Sequence, residues 1–182
     1  MNLPNVLTGF RFLLVPVFLY CLVEGYTRYA LAAFVMAGLT DAVDGAVARM
    51  TGTVTELGAF LDPLADKLLT APAFIALTLM GRVPVWLTVL VLTKDAIVVI
   101  GSIAVYRAGH GAHISPTAAG KANTFVLLSL LTLTLACMVL DVESPYLVYL
   151  AWVAAAFTTV SGVQYVRRGL KLAKEVYGGR PK

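Results

Sequence analysis

The chain has 182 residues, of which 59% are hydrophobic and 13% charged, and its mean hydropathy is +0.85. This composition predicts one integral membrane domain over residues 1–182 and leaves no room for a separate soluble domain. The formal net charge is +4. Its basic residues flank apolar stretches without interleaved aromatic side chains, which argues against nucleic-acid binding.

Six apolar stretches follow one another along the chain, at residues 6–23, 29–48, 57–80, 83–106, 122–140 and 145–166. Each is long enough to cross ~30 Å of hydrocarbon as a helix. The first stretch has no small-residue cleavage site and is entered through Pro4 and Asn5, so we expect a helix rather than a signal peptide. We therefore expect an all-α fold, an integral membrane bundle of six transmembrane helices.

Basic residues are distributed unevenly between the two ends of these helices. They concentrate at the Arg49 turn, in the loop 107–121 and in the tail 167–182, whereas the other end has only Arg28 and Arg82. Cytoplasmic loops carry an excess of Lys and Arg, so both termini should be cytoplasmic. The protein is then expected in a bacterial inner membrane, with any site near Arg49 facing the cytoplasmic leaflet.

The first helix carries a polar stripe at three-residue spacing, formed by Asn5, Thr8 and Arg11. Arg11 lies roughly 9 Å into the helix. One interpretation is that its side chain extends back toward lipid headgroups. The other is that the stripe faces the acidic site described next and helps to hold a nucleotide or phosphate.

Four aspartates lie within the second and third apolar segments, at Asp41, Asp44, Asp62 and Asp66. Spacings of three and four residues place each pair on one helix face. A carboxylate at membrane depth is costly and by default marks a functional site. Oxygen ligands converging from two helices suit Mg²⁺ or Mn²⁺, in one or two ions. The absence of a neighbouring His/Cys ligand cluster makes zinc a poor candidate.

Small residues accompany the aspartates, with Gly45 on the first of the two helices and Gly58 on the second. Glycine allows a helix or a ligand to approach the backbone closely. Arg49 stands at the mouth of the hairpin and is suited to bidentate contacts with phosphate oxygens.

Further along, Lys94 and Asp95 are adjacent in the middle of the fourth span, and Arg107 and Lys121 flank the following loop. Neighbouring residues point about 100° apart on a helix, so we expect that Lys94 and Asp95 do not simply neutralise one another. They either form a structural pair with another helix, or Lys94, Arg107 and Lys121 line a pocket for an anionic acceptor.

The pattern Asp41-x2-Asp44-Gly45-x2-Ala48-Arg49-x8-Gly58-x3-Asp62-x3-Asp66 resembles the signature of the CDP-alcohol phosphotransferase family at every position. The resemblance implies transfer of a substituted phosphate from a CDP-linked donor to an alcohol, with release of CMP. It further implies metal ligation by all four aspartates, with Asp66 also acting as general base. Gly45, Arg49 and Gly58 would contact the CDP moiety, and a homodimer would be expected.

Other stretches resemble one branch of that family. The opening Asn2-Leu3-Pro4-Asn5 is similar to that of phosphatidylglycerophosphate synthases and eukaryotic-type cardiolipin synthases, whose donor is CDP-diacylglycerol. Glycerol 3-phosphate-accepting relatives usually have Arg-Glu where this chain has Lys94-Asp95. The stretch Gly120–Thr124 is closer to cardiolipin synthases. These motifs favour phosphatidylglycerol as the acceptor, with glycerol 3-phosphate as the alternative.

Two other classes of function remain open from the residues alone. Intramembrane carboxylates also form ion pathways in cation transporters, although here they cluster near one mouth. A non-catalytic membrane scaffold could retain the same helix hairpin.

Overall fold

The computed structural model describes residues 3–51, 56–107 and 118–178, and within them the side chains of residues 13–40, 67–101, 103 and 119–170. These residues form six α-helices and no strand: α1 (Leu3–Val23), α2 (Thr27–Thr51), α3 (Glu56–Leu79), α4 (Val85–Arg107), α5 (Ala118–Leu140) and α6 (Tyr146–Gly178). The all-α prediction is confirmed, and each predicted apolar stretch lies almost entirely within one helix.

The helices form a ring in the order α1, α2, α5, α6, α4, α3, because each contacts the next and α3 contacts α1. Helix α3 also contacts α2 and α5, so it lies toward the inside of the bundle. Three short connections join α1 to α2, α3 to α4, and α5 to α6 as antiparallel hairpins. Each contains a residue in the left-handed region: Gly25, Gly81 or Asp141.

The α3–α4 turn shows how such a connection ends a helix. Gly81 has a φ of 70°, a conformation that glycine adopts at little cost. The backbone amide of Arg82 donates to the Leu77 carbonyl at 2.9 Å, and that of Gly81 to the Thr78 carbonyl at 2.9 Å. This is a Schellman motif, which satisfies carbonyls that the end of α3 leaves open.

The buried core of the described part is apolar and lies between the helices. Phe18 of α1 and Phe34 of α2 pack with ring centroids 5.4 Å apart. On α2, Ala30, Ala33 and Ala37 are buried with Phe34, and their spacing forms one helix face. Small side chains on that face allow α1 and α2 to pack closely.

Two helical segments are long and apolar enough to cross a membrane among the described side chains: Ala119–Leu140 and Tyr146–Leu170, with mean hydropathies of 2.1 and 1.6. In the most apolar 18 residues of each segment, only 33% and 28% are buried. Much of this apolar surface therefore points outward, whereas the core helix of a soluble protein is mostly buried. Leu13–Val23 and Lys67–Leu79 are shorter apolar stretches. The six helices are therefore confirmed, and two of them meet the criterion for a span; the side of the membrane on which the termini lie stays a prediction.

Helix α6 is longer than its apolar stretch. It ends at Gly178 and has 33 residues, or about 50 Å at 1.5 Å per residue. Its basic end, after residue 166, therefore continues as helix beyond the predicted span.

At the other end of α6, the two tryptophans of the chain, Trp86 on α4 and Trp152 on α6, have ring centroids 4.8 Å apart. Both rings are exposed, as aromatic residues at membrane–water interfaces are.

Candidate active site

The structure places every residue of the predicted acidic site on a helix. Asp41, Asp44, Gly45 and Arg49 lie in α2, and Gly58, Asp62 and Asp66 in α3. Because both stretches are helical, the spacing that puts each aspartate pair on one face applies. Helices α2 and α3 contact each other. The side chains of these residues, and those of Asn5, Thr8 and Arg11 in α1, lie outside the described side chains, so their roles stay predictions.

A buried cluster of charged side chains lies immediately after Asp66, where the described side chains of α3 begin. Lys67 of α3 and Asp95 of α4 form an ion pair, with Nζ and Oδ1 3.3 Å apart. The ammonium of Lys94 lies 2.7 Å from the same Oδ1 atom. Lys94 and Asp95 are only 8% and 6% exposed. Two cations and one anion therefore lie inside the bundle, one residue beyond the last aspartate of the motif.

The contact between Lys94 and Asp95 corrects one expectation. Their side chains were expected to diverge too far to neutralise one another, but the lysine stem is long enough to bring its ammonium back to the neighbouring carboxylate. The Asp95 Oδ1 atom is buried and accepts no hydrogen bond of good geometry from the side chains that the structure describes, so both lysines hold it by charge at short distance. The alternative of an interhelical pair is also present, since Lys67 belongs to α3.

Lys67 is the member of this cluster that sequence reasoning missed. The signal was available, because Lys67 is a cation within an apolar helical stretch, Lys67–Leu79. A buried cation requires a partner, and here that partner comes from α4.

The stem of Lys94 crosses α6 at a glycine. A Cβ atom added at Gly162 would lie 3.3 Å from Cγ of Lys94, and one added at Gly101 of α4 would lie 3.1 Å from Cε1 of Tyr165. The Tyr165 hydroxyl donates to the Val98 carbonyl at 2.9 Å. Each helix thus lays a long side chain across a glycine of the other, which fixes how α4 and α6 pack.

A second buried polar pair lies between α5 and α6. The Thr158 hydroxyl donates to Oδ1 of Asn123 at 2.8 Å, and both residues are almost fully buried. Among the described residues, none accepts a hydrogen bond from the Nδ2 group of Asn123. Two residues earlier, Lys121 is exposed, as expected for a residue near the membrane surface. Arg107 is the last residue of α4.

The donor set of the acidic site suits a divalent metal ion. Among the side chains that the structure describes, no group of three or more His, Cys, Asp or Glu residues is placed to hold a metal ion; the four motif aspartates are outside that set. Their chemistry fits a hard divalent cation, because all four donors are carboxylates and they stand on two helices in contact.

Comparison with known proteins gives the family of the chain. Residues 1–160 match the family model described as CDP-alcohol phosphatidyltransferase. This match confirms the resemblance seen in the aspartate motif, and it covers far more of the chain than that motif does.

Individual relatives carry two different names. The chain is 40% identical over 179 residues to the "Probable phosphatidylglycerophosphate synthase" of Mycobacterium tuberculosis, covering 93% of this chain and 82% of that protein. It is 30% identical to the "CDP-diacylglycerol--glycerol-3-phosphate 3-phosphatidyltransferase" of Bacillus subtilis, covering 95% of this chain and 97% of that protein. It is 33% identical to the "Cardiolipin synthase (CMP-forming)" of Rattus norvegicus, covering 97% of this chain and 64% of that protein.

Proposed function

Because the chain belongs to the CDP-alcohol phosphatidyltransferase family, we propose that it transfers the phosphatidyl group of CDP-diacylglycerol to glycerol 3-phosphate. The products are phosphatidylglycerophosphate and CMP. The observation that carries this proposal is the 40% identity over 179 residues to a protein named as a probable phosphatidylglycerophosphate synthase.

The choice of acceptor reverses the preference drawn from the motifs. The Lys94-Asp95 pair and the Gly120–Thr124 stretch favoured phosphatidylglycerol. The relatives support glycerol 3-phosphate better, since the 40% identity to the protein named as a probable phosphatidylglycerophosphate synthase exceeds the 33% identity to the rat cardiolipin synthase. The motif comparison relies on a few positions, whereas the identity is spread over the whole chain, and for that reason we give the identity more weight.

The transfer itself needs one substitution at phosphorus. The acceptor hydroxyl oxygen forms a bond to the phosphorus that carries diacylglycerol, and the bond from that phosphorus to the CMP oxygen breaks. We assign the general base to Asp66, whose carboxylate takes the hydroxyl proton while CMP leaves. A base within hydrogen-bond reach typically contributes ~10²–10⁴-fold to such a reaction.

Asp41, Asp44, Asp62 and Asp66 would hold one or two Mg²⁺ or Mn²⁺ ions. When bound, these ions supply neutralisation of the pyrophosphate charge. Gly45 and Gly58 would leave room for the CDP moiety beside the backbone, and Arg49 would hold phosphate oxygens at the mouth. The stripe Asn5, Thr8 and Arg11 on α1 would add polar contacts to the nucleotide; α1 contacts both α2 and α3.

The acceptor would be bound by basic side chains that follow Asp66 in the chain. Glycerol 3-phosphate is a compact dianion, which calls for Lys or Arg beside the base. Lys94 is buried in a cluster that contains Lys67, the residue next to Asp66. Arg107 and Lys121, at the ends of α4 and α5, would attract the anion from the cytoplasmic side.

Cardiolipin synthesis, with phosphatidylglycerol as the acceptor, is the second candidate. The identity of 33% to a cardiolipin synthase and the motif comparison both favour it. The cation-transporter and scaffold alternatives lose their support, because the family assignment makes the chain a transferase. We further propose a homodimer in a bacterial inner membrane, with the site on the cytoplasmic leaflet.

The test is a comparison of acceptors with purified protein in detergent–lipid micelles. CDP-diacylglycerol and Mg²⁺ or Mn²⁺ are supplied with glycerol 3-phosphate in one reaction and phosphatidylglycerol in the other. CMP release and the lipid product are measured in both. Phosphatidylglycerophosphate formed from the first acceptor alone supports the proposal. Cardiolipin formed from the second alone would replace it, and no CMP release from either would refute transfer to these acceptors.

A further inference from the structure

We propose that Asp95 is a positioning residue for the transfer reaction: through its ion pair with Lys67, it fixes the part of α3 that carries Asp62 and Asp66. This inference rests on the proposed function. Asp95 stands on α4, outside the aspartate motif. Its carboxylate contacts Lys67, the residue directly after Asp66, with Nζ of Lys67 3.3 Å from Oδ1 of Asp95.

The pair is placed where it can control α3. Lys67 is one residue from Asp66, which is about 1.5 Å along the helix axis. A contact that holds Lys67 against α4 therefore restrains both the depth and the rotation of α3 at the level of the base. Because a helix is stiff over a few residues, the restraint extends to Asp62, one turn away.

Asp95 is itself held by a second contact. Lys94 contacts the same oxygen at 2.7 Å, and its stem is confined by Gly162 of α6, where an added Cβ would lie 3.3 Å away. Tyr165 of α6 also donates to the Val98 carbonyl of α4 at 2.9 Å. A continuous set of contacts thus runs from α6 through α4 to the residue beside Asp66.

Burial makes the partners of these charges necessary. Lys94 and Asp95 are both less than a tenth exposed, and charges are kept at such positions only with partners. Buried ion pairs add little net stability compared with apolar residues, and specifying one arrangement is among the reasons that they are retained. Groups that orient metal ligands from outside typically affect metal affinity or activity by about 10–100-fold when they are replaced.

The same helix pair offers a matched control. At the other end of the α3–α4 interface, the hydroxyls of Thr78 and Thr88 are hydrogen-bonded. Thr88→Val removes this polar contact between the same two helices, about 18 Å along α3 from Asp66 at 1.5 Å per residue. Asp95→Asn removes the negative charge from the contact beside Asp66 and changes the shape of the side chain little.

The experiment measures CDP binding by calorimetry with saturating Mg²⁺, together with CMP release. Asp95→Asn should weaken Mg²⁺-dependent CDP binding about tenfold, because the carboxylates on α3 are no longer held in register. Binding without Mg²⁺ should stay unchanged, and Thr88→Val should stay within about twofold of the wild type in both assays. Equal effects of the two variants would mean that Asp95 serves only the α3–α4 packing, and would overturn the proposal.

A double-substitution cycle covers the case in which Asp95→Asn does not fold. Lys67→Met removes the pair while Asp95 keeps its contact with Lys94, and Lys67→Met/Asp95→Asn removes both charges of the pair. If Asp95 acts through Lys67, the two variants should bind CDP equally weakly, because residues in contact do not contribute additively. A double variant that binds at least about tenfold more weakly than Lys67→Met would show an effect of Asp95 independent of Lys67 and refute the proposal. If the wild type binds CDP with Mg²⁺ but transfers nothing to either acceptor, the proposed function fails and the positioning of the metal site is still decided.

Discussion

Replacement of Lys94 by methionine separates the two roles that its position allows. Methionine keeps an unbranched stem of similar volume against Gly162 and removes only the charge. If Lys94 binds the acceptor, the substitution should raise the Michaelis constant for glycerol 3-phosphate and leave that for CDP-diacylglycerol unchanged. If Lys94 only neutralises Asp95, the substitution should lower the melting temperature and leave both constants unchanged.

The contacts of Asp95 indicate how large the loss of stability and the rise in the acceptor's Michaelis constant should be. Asp95 keeps Lys67 at 3.3 Å when the Lys94 ammonium at 2.7 Å is removed, so its carboxylate is not left alone. The folding cost should therefore stay below the roughly 3–5 kcal/mol of a buried charge that loses its partner. A hydrogen bond to a charged group contributes about 1.5–3 kcal/mol. At about 1.4 kcal/mol per tenfold, the acceptor constant should rise by roughly 10–150-fold.

Steady-state CMP release, measured while each substrate is varied in turn, gives both constants, and thermal unfolding in detergent gives stability. Arg82→Met is the control, since it removes an exposed cation in the α3–α4 turn, away from Lys94. An acceptor constant within about twofold of the wild type, alongside a lower melting temperature, would contradict acceptor binding by Lys94 and leave the structural pair.

Three further predictions concern the acidic site and the topology. Asp66→Asn should reduce turnover by at least ~10²-fold and weaken CDP binding much less, because the variant loses the general base and keeps the other three carboxylates. Single-turnover kinetics and calorimetry measure the two effects, and near-normal turnover would exclude this role. Asp44→Ala should weaken Mg²⁺-dependent CDP binding through loss of a ligand, and unchanged affinity in calorimetry would remove Asp44 from the metal site. Cysteines introduced at Gly111 and Pro145 should be labelled from opposite sides of the membrane, Gly111 from the cytoplasm; labelling from the same side would contradict six spans.

The helices were predictable because each apolar stretch is bounded by signals that act locally. The ends of α3 and α5 are examples, with Gly81 and Asp141 in the left-handed conformation within two residues after them. The end of α6 was misjudged, since its prediction stopped where the apolar stretch stops. Arg, Leu, Lys and Ala after residue 166 favour helix regardless of membrane depth, and the glycines at 178 and 179 were the better stop signal.

The site was predictable only in part, for a different reason. Side chains that share a helix face follow from spacing, so the aspartate pairs could be placed on α2 and α3. Contacts between helices do not follow from spacing. The pair of Lys67 with Asp95 depends on how α3 and α4 are rotated against each other, and the packing of Lys94 on Gly162 depends on how closely α4 approaches α6. Neither distance is encoded in a local pattern.

The contact of Trp86 with Trp152 gives the protein an internal optical reporter. These are the only tryptophans in the chain, and their rings lie 4.8 Å apart between α4 and α6. Indole emission, and the indole bands of the near-ultraviolet circular dichroism spectrum, therefore come from a single pair of tryptophans, and no other indole contributes to them. Any event that separates α4 from α6 at that end changes the signal directly. A nucleotide bound at the other end of the bundle will leave the indole signal unchanged unless it moves α4 and α6 as rigid bodies. The indole signal therefore shows, without an added dye, whether catalysis moves these helices.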